Sequence, residues 1–462
     1  MNRLQSDIEN FESRSSDRNS LEAFDREHYW HAFTQMAEYE PLIFEKGNGA
    51  WLETSDGRRL LDAVSSLWCN VHGHRCPEID DAIRAQLEKV AHVTSLGASC
   101  PVSIELAKKL VDVSPAPLQH VFFGSDGSSA VEVALKMAFQ YWRQCDNPEP
   151  QRDLFLAVGN AYHGDTLGSV SVGGVSRFHQ MFAPLLFDVL QGPCPDSYRL
   201  PAGASSTEDA LEHYLAEYRS LFEQHGDRIA AVVVEPLVQG AAGMVVHPQG
   251  FLSGIRDMAT EYGVLLIADE VAVGIGRTGT LWACEQEDVS PDFLCSGKGL
   301  SGGYLPVAAT LTTNRVWEAF LGEYSESRSF FHGHTFGGNP LGCAAALANL
   351  QLFDDGSVLK RVNQLAGILG ERLSPLRDHR LVGDVRMRGL IGGVELVRDK
   401  ASKSPFPWSA RMGYRVCERA MASNVWLRPI GNTVVVMPPY CVTTDEIQLI
   451  VDAINDGIEQ LD

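Results

Sequence analysis

The segment Val264–Gly303, VLLIADEVAVGIGRTGTLWACEQEDVSPDFLCSGKGLSGG, constrains the fold more than any other part of the chain. Val264–Ala268 contains no polar residue, which predicts a strand buried on both faces with Asp269 at its carboxyl end. Phe293-Leu294-Cys295 is a second short apolar run, and it leads into Ser296-Gly297-Lys298-Gly299. Open α/β sheets place their chemistry just beyond the carboxyl ends of strands, so Asp269 and Lys298 are candidates for one crevice.

A buried carboxylate and a buried amine in one crevice suit pyridoxal 5'-phosphate (PLP). The lysine forms the Schiff base, and the aspartate pairs with the ring nitrogen and keeps it protonated. Asp-Glu after a strand and Gly-Lys-Gly in a loop also occur as ordinary turns, so this pair alone leaves both readings open.

A second informative stretch is Val121–Trp142, VFFGSDGSSAVEVALKMAFQYW. It reads as strand, glycine-serine turn and helix, with Ala130, Val133, Ala134, Met137, Ala138 and Tyr141 on one apolar face. The helix is expected to start near Gly127-Ser128-Ser129, where free backbone N–H groups and hydroxyls suit a phosphate; a plain N-cap would use the same residues. Neither a Walker loop nor a Gly-x-Gly-x-x-Gly fingerprint is present.

Elsewhere, strands are expected at Leu154–Val158, Ala230–Val234 and Leu305–Thr313, and Asp56-Gly57 marks a hairpin turn between Ala50–Glu53 and Arg59–Asp62. Tyr162 follows a strand end, where its ring can stack on a flat cofactor. Helices are expected near Pro77–Val90, Val102–Val113, 208–225 and Leu341–Leu352. Beyond that helix the pattern changes to a separate α+β unit, with helices near 357–377, 409–423 and 444–459 and strands near 381–397 and 425–437.

Composition narrows the function classes. The chain has 462 residues and a net charge of -21, 38 basic against 59 acidic. That balance argues against a general nucleic-acid binder or an anionic membrane surface. No apolar run is long enough to span a membrane, and the polar N-terminus lacks the apolar core of a signal peptide; it reads as a mobile leader. Ten cysteines without a Cys-x-x-Cys suggest reduced thiols in a cytoplasm. His72, His74, His332 and His334 lack zinc spacing, and no metal is expected.

At this point the motifs match a known family. Ala268-Asp269-Glu270-Val271, Gly274-Ile275-Gly276-Arg277-Thr278-Gly279 and Lys298 stand in the order and spacing of the class III, fold-type I PLP aminotransferase signature. Tyr162-His163-Gly164 and His334-Thr335-Phe336-Gly337-Gly338-Asn339-Pro340 extend the resemblance, which covers about Phe24 to Ile458. It implies an α/β fold with a mostly parallel central sheet flanked by helices, plus a smaller α+β domain built from the N- and C-terminal segments. The implied division is a leader at 1–24, an N-terminal segment at 25–75, a large PLP-binding domain at 76–345 and a small domain at 346–462.

Within the class, Tyr29-Trp30-His31, Ser65-Ser66, Trp68, His72-Gly73-His74, Gln140-Tyr141-Trp142, Asp165-Thr166 and Trp426-Leu427-Arg428-Pro429 resemble the biotin-pathway branch. That resemblance implies amination of 8-amino-7-oxononanoate to 7,8-diaminononanoate by a PLP ping-pong cycle, in a homodimer with shared active sites. The alternative is a broad ω-amino acid or diamine:pyruvate transaminase.

The resemblance also implies roles. Lys298 would be the Schiff-base lysine and proton shuttle, Asp269 would hold the pyridinium nitrogen, and Tyr162 and Val271 would clasp the ring. Gly127 and Ser128 would bind the phosphate, joined by the loop of His334 and Thr335, with Thr335 reaching over from the second subunit. Arg428 would pair with the substrate carboxylate, while Trp68, Tyr162, Gly333 and Phe33 would line the pocket. The branch that uses S-adenosylmethionine usually carries a tyrosine at position 33 and a tryptophan at position 67. Phe33 and Leu67 resemble the lysine-using branch instead, so the amino donor stays open between the two.

Overall fold

The computed structural model describes residues 18–461. Most of the stretch expected as a leader therefore lies outside the described residues, and Arg18–His28 forms helix α1. Three short strands follow, β1 (Phe44–Asn48), β2 (Trp51–Thr54) and β3 (Arg59–Asp62), with the turn at Asp56-Gly57 joining the last two.

The core is a seven-stranded sheet. Its strands are β4 (Leu118–Gly124), β5 (Leu154–Val158), β6 (Leu190–Gly192), β7 (Ile229–Val234), β8 (Leu265–Asp269), β9 (Phe293–Ser296) and β10 (Ala308–Thr313). They lie in the order β4-β10-β9-β8-β7-β5-β6. Only β10 runs antiparallel to its neighbours, and it returns the chain from β9 to β4.

Every residue of β7 and β8 is buried, as their continuous apolar sequences require. Alternate residues serve opposite faces. Ala231, Val233, Leu265 and Ile267 pack with helix α2 (Gly127–Gln144), and Val232, Val234 and Leu266 pack with α3 (Thr207–His225) and α4 (Phe251–Glu261). Six of the strands are parallel, so the segments that follow β4, β5, β7, β8 and β9 emerge at one edge. That edge receives Gly127, Tyr162, Glu235, Asp269 and Lys298.

The C-terminal unit is an antiparallel sheet of β11 (Val382–Arg388), β12 (Ile391–Asp399), β14 (Arg428–Ile430) and β15 (Thr433–Val436), covered by α5 (Ser357–Leu373), α6 (Met412–Ala420) and α7 (Thr444–Glu459). The short β13 (Val425–Trp426) pairs in parallel with β3, so the N-terminal strands and the C-terminal unit form one body. Arg386 ties that body to the small hairpin that follows β7. It donates to the carbonyls of Gly243 and Met244 and pairs with Glu395 at 2.6 Å.

Two buried histidines make the fold sensitive to acid. His247 has neither ring nitrogen bonded, and burial lowers it from an ordinary 6.5 to about 3. His72 falls to about 4, through burial first and then the charge of Arg277. The unfolded chain takes up these protons below about pH 6.5 while the folded chain does not, so stability is lost as pH falls through that window. The melting temperature of the native protein is expected to drop more steeply from about pH 7 to about pH 5 than that of His247→Phe, measured by scanning calorimetry.

Candidate active site

Asp269 ends β8 with one partner on each carboxylate oxygen. Oδ2 lies 2.7 Å from His163 Nδ1, and Oδ1 accepts from the Val271 N–H at 3.0 Å. Lys298 follows β9 in a left-handed conformation (φ 41°), which a lysine rarely adopts and which marks a locally strained position. Its Nζ stands 5.0 Å from the centroid of the buried Trp68 ring.

Glycines let the backbone close tightly beside these two residues. A Cβ on Gly127 would lie 2.5 Å from Val271 Cγ1, and one on Gly297 would lie 3.3 Å from the Gly127 Cα. Gly164, at φ 116°, meets Ser128 so closely that any side chain there would collide with its Oγ. Asp126 caps α2 by accepting from the Ser129 N–H at 2.8 Å, which leaves Gly127 and Ser128 as the first N–H groups of the helix, where no intrahelical acceptor exists. Ser128 Oγ in turn accepts from the Asp165 N–H at 3.2 Å.

Tyr162 is fixed at both ends. Its N–H donates to Glu235 Oε1 at 3.1 Å, and its hydroxyl donates to Asp165 Oδ2 at 2.7 Å. Glu235 also accepts from the Gly240 N–H at 2.9 Å, and Gly240 packs against Trp68. Arg277, fully buried, donates to the carbonyls of Trp68 and Pro438, and so holds the Trp68 loop from below.

The electrostatics favour a neutral amine beside a fixed anion. Burial pushes the Lys298 amine below its ordinary 10.5, against the opposing pull of Asp269 and Glu235. Burial works against a charged His163, but the hydrogen bond and charge of Asp269 outweigh it and raise the imidazole above its ordinary value. Burial pushes Glu235 up to about 7, and burial also raises the Tyr162 phenol, with Asp165 adding to it.

The structure therefore brings together Lys298, Asp269, Tyr162, Val271, Gly127, Ser128 and Trp68. Phe33 joins through an aromatic chain: its ring meets Phe178 at 5.5 Å, and Phe178 meets Tyr162 at 6.3 Å. Arg428 stands exposed on β14, and its guanidinium has no hydrogen bond or ion pair among the described residues. Gly333, His334 and Thr335 lie in an exposed loop, where His334 stacks edge-on with His332 at 5.0 Å. No hydrogen bond joins them to Lys298, Asp269 or Gly127 among the described residues.

The acidic pair divides its labour: Glu270 turns away from Asp269 and accepts from the Ala283 and Cys284 N–H groups. His74 is engaged by Asp62 and Asn70, and His332 by Lys136. Among the described residues no group of three or more histidines, cysteines and acids is placed to hold a metal ion. Sequence reasoning passed over His163 and Glu235 as contributors. Their one signal was position, next to Tyr162 and just past the end of β7.

A flat ring carrying an aldehyde and a phosphate fits these residues. The Gly127–Ser128 corner would hold the phosphate on helix N–H groups, Asp269 would hold the ring nitrogen, and Lys298 would meet the aldehyde. The Aminotransferase class-III family pattern matches residues 34–458. The chain belongs to the class-III aminotransferases, which are PLP enzymes.

It is 48% identical to the adenosylmethionine-8-amino-7-oxononanoate aminotransferase of Geobacter sulfurreducens over 96% of this chain and 98% of that one. The crystal structure of the Methanocaldococcus jannaschii protein of the same name superposes with a TM-score of 0.90 at 42% identity, covering 96% and 99% of the two chains. An ω-transaminase from Pseudomonas jessenii in complex with PMP superposes with a TM-score of 0.90 at 30% identity, covering 95% and 98%.

Proposed function

We propose that this protein transfers an amino group to 8-amino-7-oxononanoate, giving 7,8-diaminononanoate in biotin biosynthesis. Bound PLP supplies an electrophilic aldehyde and a ring that draws electrons from the reacting carbon. Lys298 would meet that aldehyde, and its amine would hold or move the proton at the donor's Cα. Asp269, held by His163 and Val271, would keep the ring nitrogen protonated. Tyr162 and Val271 would clasp the ring, and Trp68 and Tyr162 would exclude water from the reacting atoms. Phe33 and Gly333 complete the substrate pocket.

The observation that carries the acceptor is Arg428, an exposed guanidinium without a hydrogen bond or ion pair among the described residues, which suits a bidentate carboxylate. Arg428→Ala is expected to raise the acceptor KM about tenfold to a hundredfold, the worth of a charge-assisted pair, while the donor half-reaction changes less than about threefold. Stopped-flow measurement of each half-reaction separates the two, and equal damage to both would remove this role from Arg428.

Relatives named for adenosylmethionine favour that donor, and Phe33 with Leu67 favour lysine. Single-turnover bleaching of the PLP form by each compound decides between them. Structural neighbours that are ω-transaminases favour a broader amino-acceptor range as the second reading. Complementation of a biotin auxotroph lacking this step tests the first: growth supports it, and failure with good expression favours the second.

We also propose a homodimer in the cytoplasm. Leu96, Ile104, Phe331 and Phe336 are large apolar residues with 91%, 58%, 77% and 60% of their surface exposed, more than a monomer leaves in contact with water without a reason. His334 and Thr335, exposed beside Phe336, would reach the phosphate corner of the second subunit. All ten cysteines are free, as a reducing compartment requires. Light scattering on the eluted protein is expected to give twice the mass of one chain.

A further inference from the structure

We propose that Phe178 is a specificity-determining residue of the acceptor site, lining the path of the polymethylene chain between Lys298 and Arg428. This rests on the 8-amino-7-oxononanoate reading above.

Phe178 lies on the short helix Ser176–His179, beside Tyr162. Its half-buried ring stands edge-on to Tyr162 and to Phe33, at 6.3 Å and 5.5 Å between centroids. The neighbouring Arg177 reaches the other way and lays its guanidinium 3.9 Å from the centre of the Trp408 ring. Trp408 packs on Gly431, where a Cβ would come within 2.9 Å of the indole, and Gly431 directly follows the strand that carries Arg428. Two adjacent residues thus touch Tyr162 on one side and the surroundings of Arg428 on the other. On this proposal a substrate held by its carboxylate at Arg428 and reacting beside Tyr162 passes Phe178 on the way.

The chemistry of this passage suits methylenes. Phe33 and Phe178 offer apolar ring surface, and among the described residues no cation stacks on either. Phe33 adopts φ 53°, a left-handed conformation that an aromatic residue rarely takes, and 65% of its surface is exposed. An apolar ring left this exposed gains cover when an aliphatic chain lies against it. His179 anchors the segment from behind. Its ring lies within 17° of parallel to Tyr162 at 6.0 Å, and both of its nitrogens are buried without a hydrogen bond.

The test compares the native holoenzyme with Phe178→Ala and Phe178→Leu. It measures KM and kcat for 8-amino-7-oxononanoate, and the inhibition constants of butyrate and nonanoate as competitors. Phe178→Ala is expected to raise the acceptor KM about tenfold with kcat falling less than about threefold, as loss of apolar contact to a substrate chain does. The nonanoate inhibition constant should rise in step while that of butyrate holds, and Phe178→Leu should restore most of both.

Unchanged nonanoate inhibition in Phe178→Ala, or a loss confined to kcat, overturns the proposal. If the native enzyme fails to turn over 8-amino-7-oxononanoate at all, the acceptor reading falls by itself. The nonanoate-to-butyrate ratio then still decides whether Phe178 meets an aliphatic chain.

Discussion

Asp269→Asn is expected to lower turnover about a hundred- to a thousandfold in both half-reactions, the usual cost of removing a preorganised charge from a buried site. The amide keeps the shape of the carboxylate and can accept from the Val271 N–H, so the local backbone has no reason to move. What it lacks is the negative charge that, in the proposed role, holds a proton on the ring nitrogen. Without that proton the ring draws electrons poorly, whichever substrate is bound. The same charge raises His163, so the imidazole in the variant should titrate lower, and histidine resonances followed by NMR against pH would show it. A variant that lost only acceptor turnover would place Asp269 elsewhere in the chemistry.

Lys298→Ala is expected to reduce turnover by about 10⁴-fold or more, because one amine serves both as nucleophile and as proton carrier. Burial already lowers its pKa, against the pull of Asp269 and Glu235, which favours a proton carrier. Lys298→Arg should fare no better, since a guanidinium stays protonated at any working pH. Small added amines should return part of the lost proton transfer to Lys298→Ala. Substantial residual activity without them would contradict the assignment.

Local pattern foretold much of this architecture. β7 and β8 were readable because strands buried on both faces need unbroken apolar runs, and the buried side of α2 because Ala130, Val133, Ala134, Met137, Ala138 and Tyr141 recur at helical spacing. Asp269 and Lys298 were legible because a parallel sheet delivers its strand ends to one edge. The pairing of β3 with Val425–Trp426 was not legible, nor was the insertion of antiparallel β10 between β4 and β9, because partners so far apart leave no trace in local periodicity.

The same limit hid the side-chain partners. Nothing near Glu235 announces that its carboxylate braces the Tyr162 and Gly240 N–H groups, and nothing near Arg277 announces the carbonyls of Trp68 and Pro438. Buried polar groups take whatever partner the tertiary fold supplies, and that is decided only once the chain has closed.

The most direct test is to reduce the PLP-loaded enzyme with borohydride, digest it and locate the pyridoxyl group by mass spectrometry. The label should sit on the ε-amine of Lys298 and be missing from the matching peptide of Lys298→Ala. Label on another lysine, or none on a protein that still absorbs as a PLP enzyme, would contradict the account.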